Sequence, residues 1–568
     1  MFYIAIWCGV ETRTPEGEVV GVAEGQALRA AQSPSFSCSY GGRAGPALHL
    51  RLWFYCFALL WMVLFAGCTI IRQQGPYTLS QLERYDPKQT PIARVYATSL
   101  ASKPAQSLGF LLQEGDQALL QRIALIRMAA HNIDIQTYIY KNDISSRAMM
   151  FELYRAANRG VKVRLLIDDN GLDSDMSDII MLDTHPNIEV KIFNPYRARN
   201  RGLRIFEMLA DYDRIKKRMH NKLFIVDNIA LVIGGRNIAD VYFDNDLEEN
   251  FLDMDALFLG VVSLQAKKSF LEYWNFFGAI PAHLLPSHSK LKKYAKTYQS
   301  RLSKILYPPN QHTHYEDHVL EFIHDFTHKK QIVYQGVASF IADSPDKINA
   351  PHPSSPIKQA LKAILARTTN SLYIASSYLI PGRALLKLFT QKLQEGLELN
   401  ILTNSLASTD AIVVYGAWER YAKRLVDAGA NVYETKSDLS KYARYTRRGL
   451  KLKIRGRLKN SLHSKTLIFD GHKTWIGSFN LDARSESINT ESVVIFDNKD
   501  FALHLQGLMQ EQMQESWHLL VIKHALRHKL MWEGVENGHV ILYDKPPNTS
   551  AFLRFIKDWS KMLPESEL

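Results

Sequence analysis

Cysteine is nearly absent from this sequence. The chain has 568 residues and four cysteines, Cys8, Cys38, Cys56 and Cys68, with none beyond. A disulfide framework, a cysteine-ligated metal and a cysteine nucleophile are therefore excluded for the body of the chain. A cysteine-free body suits an exported protein that avoids stray disulfides. Neither hydrophobic nor charged residues are in excess, at 46% and 22%, which excludes collagen-like, disordered and polytopic membrane classes. The length suggests about 3–4 domains. Acid falls short of base, 57 residues against 69, for a net charge of +12. That balance points to an anionic partner: nucleic acid, phospholipid or a phosphorylated substrate.

Leu52–Ile71 is a long charge-free apolar run, bracketed by Arg51 and Arg72. It is long enough to span a bilayer, or to be the apolar core of an export signal behind Arg43 and Arg51. The run contains Leu64-Phe65-Ala66-Gly67-Cys68, small residues before a cysteine, as at a bacterial lipoprotein cleavage site. Two readings follow for residues 49–72: a processed signal with Cys68 lipidated, or a plain membrane anchor. Phe65 is bulkier than the residue usual in the lipoprotein pattern. Residues 1–48 have little hydrophobic periodicity and read as an over-extended start or a disordered leader; residues 73–106 read as a linker.

From residue 107 helical and strand periodicities alternate, which predicts an α/β layered sheet. Ile133–Tyr140, Val161–Ile167 and Asn187–Phe193 read as strands, with helices over Gln117–Ala130 and Ser146–Asn158. The order returns later: Ser371–Ile380, Leu397–Thr403 and Asn431–Glu434 as strands, with helices over Ile357–Ala366, Leu385–Gln394 and Trp418–Asp427. Gly160-Val161-Lys162-Val163 matches Gly396-Leu397-Glu398-Leu399 in position, so the halves read as an internal duplication. We assign a first domain to 107–262, a helical connecting segment to 263–350, a second domain to 351–500, and a C-terminal extension packing on the second domain to 501–568. The connecting segment carries His312, His314, His318, His324 and His328. His324 and His328 share a helical face, but the spacing matches no recognisable metal motif; a solvated polar insertion is the simpler reading.

Both copies carry one constellation. His220-x-Lys222-x-x-x-x-Asp227 is followed by Gly234-Gly235-Arg236-Asn237, and His463-x-Lys465-x-x-x-x-Asp470 by Gly477-Ser478-Phe479-Asn480. One such motif is weak evidence, whereas two at identical internal spacing in matching places are strong. Strand alternation puts each histidine and lysine on one face. The residue types suit phosphodiester chemistry. An anionic phosphodiester repels an attacking carboxylate but not a neutral imidazole. One histidine can attack phosphorus and hold it covalently while the other protonates the leaving alcohol. Lys222, Lys465, Asn237 and Asn480 would steady the charge on the phosphate. Hydrogen bonds to charged groups are worth ~1.5–3 kcal/mol each, so four can supply much of the ~8–23 kcal/mol typical of enzymes. No metal and no cofactor is required. Asp168 and Asp169, at a strand end, read as caps of the next helix.

The paired motif resembles the double-HKD pattern of the phospholipase D superfamily. Ser107–Leu568 is similar to its cardiolipin synthase C-like branch. The finer likeness rests on Gly234–Asp240 with Tyr242-Phe243, Phe251–Asp255, Thr403–Asp410, Gly477–Asp482 and Asn489–Glu491. Ala239 stands where the branch usually has glycine, and Pro308–His328 fits less clearly. The resemblance implies two α/β/α layered-sheet domains about a pseudo-twofold axis, with one active site between them. It implies phosphatidyl transfer to phosphatidylglycerol, making cardiolipin, from phosphatidylglycerol or phosphatidylethanolamine. A phospholipase D or a nuclease using the same site is the alternative. It also implies an orienting carboxylate about thirty residues beyond each histidine, taken from the opposite half: Glu491 for His220 and Asp253, or alternatively Asp255, for His463. By the superfamily's usual order His220 is the nucleophile and His463 the acid/base. Within the motif set, Asp227 and Asp470 are expected to be structural, holding the loop after each strand.

The charge is concentrated. Arg197–Lys222 holds nine basic and three acidic residues, and Lys436–Lys465 eleven and one. Each window leads into a motif histidine. Ile205, Phe206, Met208 and Leu209 interleave with the first set of cations, and Leu450, Leu452, Ile454 and Leu458 with the second. That mixture suits an anionic phospholipid surface. Nucleic-acid grooves more often interleave stacking aromatics, so nucleic acid is the less favoured partner, with Tyr442 and Tyr445 its remaining support. The expected location is a bacterial cell membrane or envelope, with the catalytic body exported. Labelling cells with a fatty-acid probe should mark the wild-type chain but not Cys68→Ser. A chain that never labels would make Leu52–Ile71 a transmembrane anchor.

Overall fold

The computed structural model describes residues 83, 85–172, 177–198, 201–246, 248–285, 312–350, 355–437, 459–524, 527–536 and 538–562. Cys68, the apolar run 52–71 and residues 438–458 of the second basic window lie outside them. Among the described residues no helix is long and apolar enough to cross a membrane.

The first half contributes β1 (Ser107–Leu112), β2 (Asn132–Tyr140), β3 (Lys162–Leu172), β4 (Ile188–Phe193), β5 (Leu223–Val226), β6 (Ala230–Gly234), β7 (Glu249–Leu252), β8 (Asp255–Gly260) and β9 (Ala279–Pro281). The second contributes β10 (Tyr334–Ala342), β11 (Ser371–Ser376), β12 (Glu398–Asn404), β13 (Asn431–Thr435), β14 (Lys459–Leu462), β15 (Lys465–Phe469), β16 (Lys473–Gly477), β17 (Ser492–Asp497), β18 (Trp517–His524), β19 (Arg527–Glu536) and β20 (His539–Tyr543). In space the first half runs β9-β4-β3-β2-β5-β6-β8-β1. β1 then pairs antiparallel with β10, and the second half unrolls as β10-β17-β16-β15-β11-β12-β13-β18-β19-β20. Matching strands thus mirror one another about the β1–β10 seam. β2-β3-β4 and β11-β12-β13 are parallel, and most of their residues are buried, including polar ones such as Asp134, Gln136 and Asn400 that interrupt the apolar side chains.

Local signals set the elements. Asp143 and Ser146 form a capping box at the start of the helix Ile144–Asn158. That helix stops at Gly160, whose φ of +95° is matched by Gly396 at +96° in the second half. Outer helices bury one apolar core in each half. A third core lies between the sheets, where Ile225, Ile233, Phe258 and Trp274 meet Ile468, Ile476, Phe496 and Leu505. The helices Val261–Trp274 and Lys499–Gln514 pack there.

Four stretches differ from the sequence reading. Residues 87–102 of the expected linker form short helical turns, with Ile92 and Tyr96 in the first core. The expected connecting segment opens with a helix that packs in the core shared by the two halves and ends in β10, a strand joining the two sheets. The histidine-bearing helix His312–Thr327 is not a solvated insertion, since Val319 and Phe326 enter the first core. Short apolar signals in polar surroundings hid these packings. Beyond residue 500, β18–β20 extend the second sheet, and the helix Ala551–Ser560 packs on the helix Ile412–Asp427.

Asp227 and Asp470 sit at the end of β5 and β15 remote from the motif histidines. Each accepts three backbone N–H groups: Asp227 from Ala130, His131 and Asn132, and Asp470 from Thr369, Asn370 and Ser371. They hold the loop entering the neighbouring strand rather than the loop after their own. Asp227 is fully buried and Asp470 only half-buried; of their donors Asn132 is buried, whereas Ala130, His131, Thr369 and Asn370 are exposed. Leaving buried donors unsatisfied costs about 1–3 kcal/mol. Asp227→Asn should therefore lower the stability measured by urea unfolding by about that amount, and Asp470→Asn by less.

Candidate active site

Two short parallel pairings build the site. β14 pairs with β7, so Leu462 lies beside Leu252, and the N–H of His463 donates to the Leu252 carbonyl at 2.8 Å. Across the pseudo-twofold, Met219 bridges Thr490, and the N–H of His220 donates to the Thr490 carbonyl at 2.9 Å. Each pairing leaves a histidine on one half beside the next residue of the other half. Those residues are Asp253 and Glu491. His463 Nδ1 lies 2.7 Å from Asp253 Oδ2. His220 Nδ1 lies 2.9 and 3.0 Å from the Glu491 oxygens.

The strand ends fix these segments further. Asp168, in β3 where its pairing with β4 ends, accepts the N–H of Met219 at 2.9 Å. Asn404, at the end of β12, accepts the N–H of Leu462 at 2.7 Å and donates back to its carbonyl at 2.7 Å. The capping role expected of Asp168 and Asp169 is therefore replaced. Asp168 positions the residue before His220, and Asp169 accepts the N–H of Tyr196. The aspartate's reach across the sheet is set by tertiary packing, which local spacing does not record.

The carboxylates differ in their support. Glu491 accepts from Ser478 at 2.5 Å and from Ser485 at 2.9 Å as well as from His220. Asp253 takes the space beside Gly235, where a Cβ would lie 2.4 Å from Oδ1, and accepts the N–H of Met254 at 2.8 Å. Asp255 is not the partner of His463; it pairs with Arg122 at 2.7 Å and lies 3.6 Å from Arg236.

Burial would raise the Asp253 pKa, but His463, Lys465 and Arg236 outweigh it and hold the group down at about 2. Glu491 is likewise held below its usual range against burial, by His220, Lys222 and Ser478. Both carboxylates are then ionised acceptors, so each histidine donates through Nδ1–H and keeps Nε2 unprotonated. Burial pushes His220 down to about 4, with Lys222 adding to the fall and Glu491 opposing it. Burial and Lys465 lower His463 too, against Asp253. Lys222 is pushed down to about 7 by burial, opposed by Glu491. Lys465 is also lowered by burial.

Lys222 Nζ donates to the His220 carbonyl at 2.8 Å and lies 5.7 Å from the Tyr138 ring centre. Lys465 Nζ donates to Ser377 at 2.9 Å and to the His463 carbonyl. Asn237 accepts from the Ile139 N–H at 3.1 Å and donates to Tyr242 at 2.8 Å, while Asn480 accepts from Ser377 at 3.0 Å. Tyr138 meets the His220 ring edge-on at 5.1 Å, and Tyr242 and Phe251 flank His463, each also at 5.1 Å. Ser478, Ser485, Ser377 and Tyr138 were not singled out from the sequence. Ser478 lay within a quoted motif, but nothing marked its hydroxyl as the carboxylate's partner.

The first basic window is less bare than its composition. Arg214 pairs with Glu207 and Asp211, each at 2.6 Å, and Arg218 with Asp168 at 3.4 Å. His324 and His328 stack at 3.9 Å on an exposed helix end. Among the described residues there is no cluster of three metal-ligating side chains. What the cleft offers is two neutral imidazoles backed by carboxylates, with two lysine ammoniums beside them. That set can take up one phosphodiester and divide nucleophilic and acid/base work between the rings.

The chain is similar to known proteins over most of its length. The family described as cardiolipin synthase, PLD-like domain, matches residues 122–274 and 361–513. An uncharacterized protein of Helicobacter pylori is 53% identical over 506 residues, covering 89% of this chain and 98% of that one. Cardiolipin synthase C of Escherichia coli is 32% identical over 472 residues, covering 81% and 96%. Among solved structures, phosphatidylserine synthase of Haemophilus influenzae aligns with a TM-score of 0.48 at 14% identity, covering 74% of this chain and 91% of that one. The chain belongs to the cardiolipin synthase-like branch of the phospholipase D superfamily.

Proposed function

We propose that this protein makes cardiolipin by transferring a phosphatidyl group to phosphatidylglycerol at a bacterial membrane. The observation that carries the reading is the pair of crossed histidine–carboxylate contacts, with Lys222 and Lys465 beside them. His220 Nε2 attacks phosphorus, and a P–N bond forms as the P–O bond to the donor's headgroup alcohol breaks. His463, protonated, gives its Nε2 proton to that leaving oxygen. The acceptor's primary hydroxyl then attacks phosphorus. His463 takes the hydroxyl proton, and the P–N bond breaks. The donor in this scheme is another phosphatidylglycerol or a phosphatidylethanolamine. The anionic phosphodiester offsets the two lysines that depress His463, and so helps it to hold a proton when substrate is bound.

The two carboxylates support these roles. Glu491 shares its charge among two serines and His220, leaving His220 neutral and nucleophilic. Asp253 accepts from no side chain but His463 among the described residues, and so better supports an imidazolium there. Transfer must outrun water at ~55 M; effective molarities of well-placed groups reach ~10⁵–10⁸ M.

Incubating the purified chain with phosphatidylglycerol-containing liposomes, with lipid mass spectrometry, should give cardiolipin as the main product. Dominant phosphatidic acid would make the enzyme a phospholipase D instead. His220→Ala should abolish turnover and any phosphatidyl adduct, whereas His463→Ala should lose turnover by ~10²–10⁴-fold and retain adduct from a donor with a good leaving group. An adduct on His463 in the wild type would reverse the roles.

The pH dependence has a definite sign. At low substrate, kcat/KM should fall on the acid side below about pH 4, where His220 gains a proton, and on the alkaline side as His463, lowered by burial and Lys465, and then Lys222, at about 7, lose theirs. Glu491 holds the His220 pKa up, so Glu491→Gln should move the acid limb to lower pH. An acid limb that stays in place in that variant would detach it from this pair.

A further inference from the structure

The helix Arg201–Ala210 is turned inside out. A surface helix ordinarily packs its apolar stripe on the core and shows charge to water. Here the acid is the buried residue. Glu207 is 9% exposed and accepts the N–H groups of Arg197 and Ala198, both at 2.9 Å. Arg204 also faces the protein, donating to the Ala198 carbonyl at 3.2 Å and lying 4.5 Å from the Tyr196 ring centre. The outward residues are Leu203, Ile205, Phe206 and Leu209, from 57% to 80% exposed, with Met208 at 44%. Polar contacts hold the helix in this orientation, so the apolar face is presented by construction.

The surroundings say what covers that face. Tyr212 stands at its end, 44% exposed, with Lys216 Nζ 5.0 Å from its ring. Lys217 follows, and Arg197 is partly exposed before the helix. An apolar face with an aromatic residue and cations at its margins is the composition of a helix lying in a membrane interface. A second copy docked about a twofold would bring the same cations together, which disfavours that occupant. The helix also borders the site. Tyr196 donates to Asn170 at 2.9 Å, Asn170 donates to Tyr138 at 2.7 Å, and Tyr138 touches His220. Four residues of chain separate Ile215, at the end of the following turn, from His220.

We propose that this inverted helix seats Leu203–Leu209 in the hydrocarbon edge of an anionic bilayer, beside the mouth of the catalytic cleft. Phospholipid would then pass from the leaflet to His220 without crossing water. The proposal rests on the phospholipid substrate named above, and its test separates the two.

The full chain, reconstituted in vesicles containing phosphatidylglycerol, would be compared with Leu209→Trp and with the double variant Phe206→Glu, Leu209→Glu. The added tryptophan should be quenched by lipids brominated on the acyl chain, in excess of any quenching of the wild type. The double variant should turn over vesicle lipid at least tenfold more slowly, yet stay within twofold of wild type on a short-chain phospholipid dispersed as monomers. Absent quenching, or equal losses on both substrates, would overturn the docking role. So would a wild-type dimer that the double variant dissolves. Quenching of Leu209→Trp with no turnover of either lipid by the wild type would keep the docking and overturn the proposed function.

Discussion

His220 and His463 each take their orienting carboxylate from the half they do not belong to, and the rest of the architecture serves that exchange. An imidazole with an ionised carboxylate on Nδ1 has a fixed tautomer and a fixed ring plane. The contact holds only if two chain segments far apart in sequence keep a register of a fraction of an ångström. The parallel β7–β14 pairing and its counterpart at Met219 and Thr490 supply that register through backbone hydrogen bonds. These short pairings could not stand alone. The β1–β10 seam and the shared core of Phe258, Trp274, Phe496 and Leu505 bring the halves close enough to form them. Neither half holds a complete histidine–carboxylate pair.

The electrostatics follow from the same enclosure. Two lysines, two histidines and two carboxylates lie in a small, largely dehydrated volume. Burial disfavours charge on every one of them. The carboxylates stay ionised because cations surround them, while the histidines are kept neutral and the lysines weakened. A phosphodiester anion reverses this pressure: it favours protonation of both lysines and of the ring that must act as acid. The site is poised for an anion, and binding one completes its charge pattern.

Much of this was legible in the sequence because it is written locally and twice. The repeated His-x-Lys-x-x-x-x-Asp followed by Gly and Asn located the histidines, lysines and asparagines, and the duplicated strand and helix grammar gave the α/β fold. What was hidden depends on distance in the chain. Asp168 looks like a helix cap, and only the folded sheet shows it reaching Met219. Ser485 lies six residues before Glu491, yet its hydroxyl points at the carboxylate only because of the turn between them. β10 carries Gly336, Ala338 and Ser339 in a weak alternation, and its pairing with β1 and β17 makes it a strand. The inverted helix was visible as mixed apolar and basic residues, but which face met solvent was set by the buried contacts of Glu207.

Comparing the halves separates what holds the geometry from what tunes the chemistry. Some features occur in both. Asp227 and Asp470 bind the loops ahead of β2 and β11. Asp168 and Asn404 bind the residue before each histidine. Thr137 and Ser376 each turn a hydroxyl to a carbonyl two residues on. These are scaffold, and two copies of one scaffold set two histidine–carboxylate pairs in matching places. Other features differ. Glu491 with Ser478 and Ser485 stands where the first half has Asp253 packed on Gly235. Lys222 faces the Tyr138 ring, whereas Lys465 donates to the Ser377 hydroxyl. A nucleophile and an acid cannot have the same environment, since one must stay neutral and the other must hold a proton in the presence of substrate. On the function proposed above, these differences among the partners of the histidines and lysines let one duplicated unit meet both demands at one phosphorus.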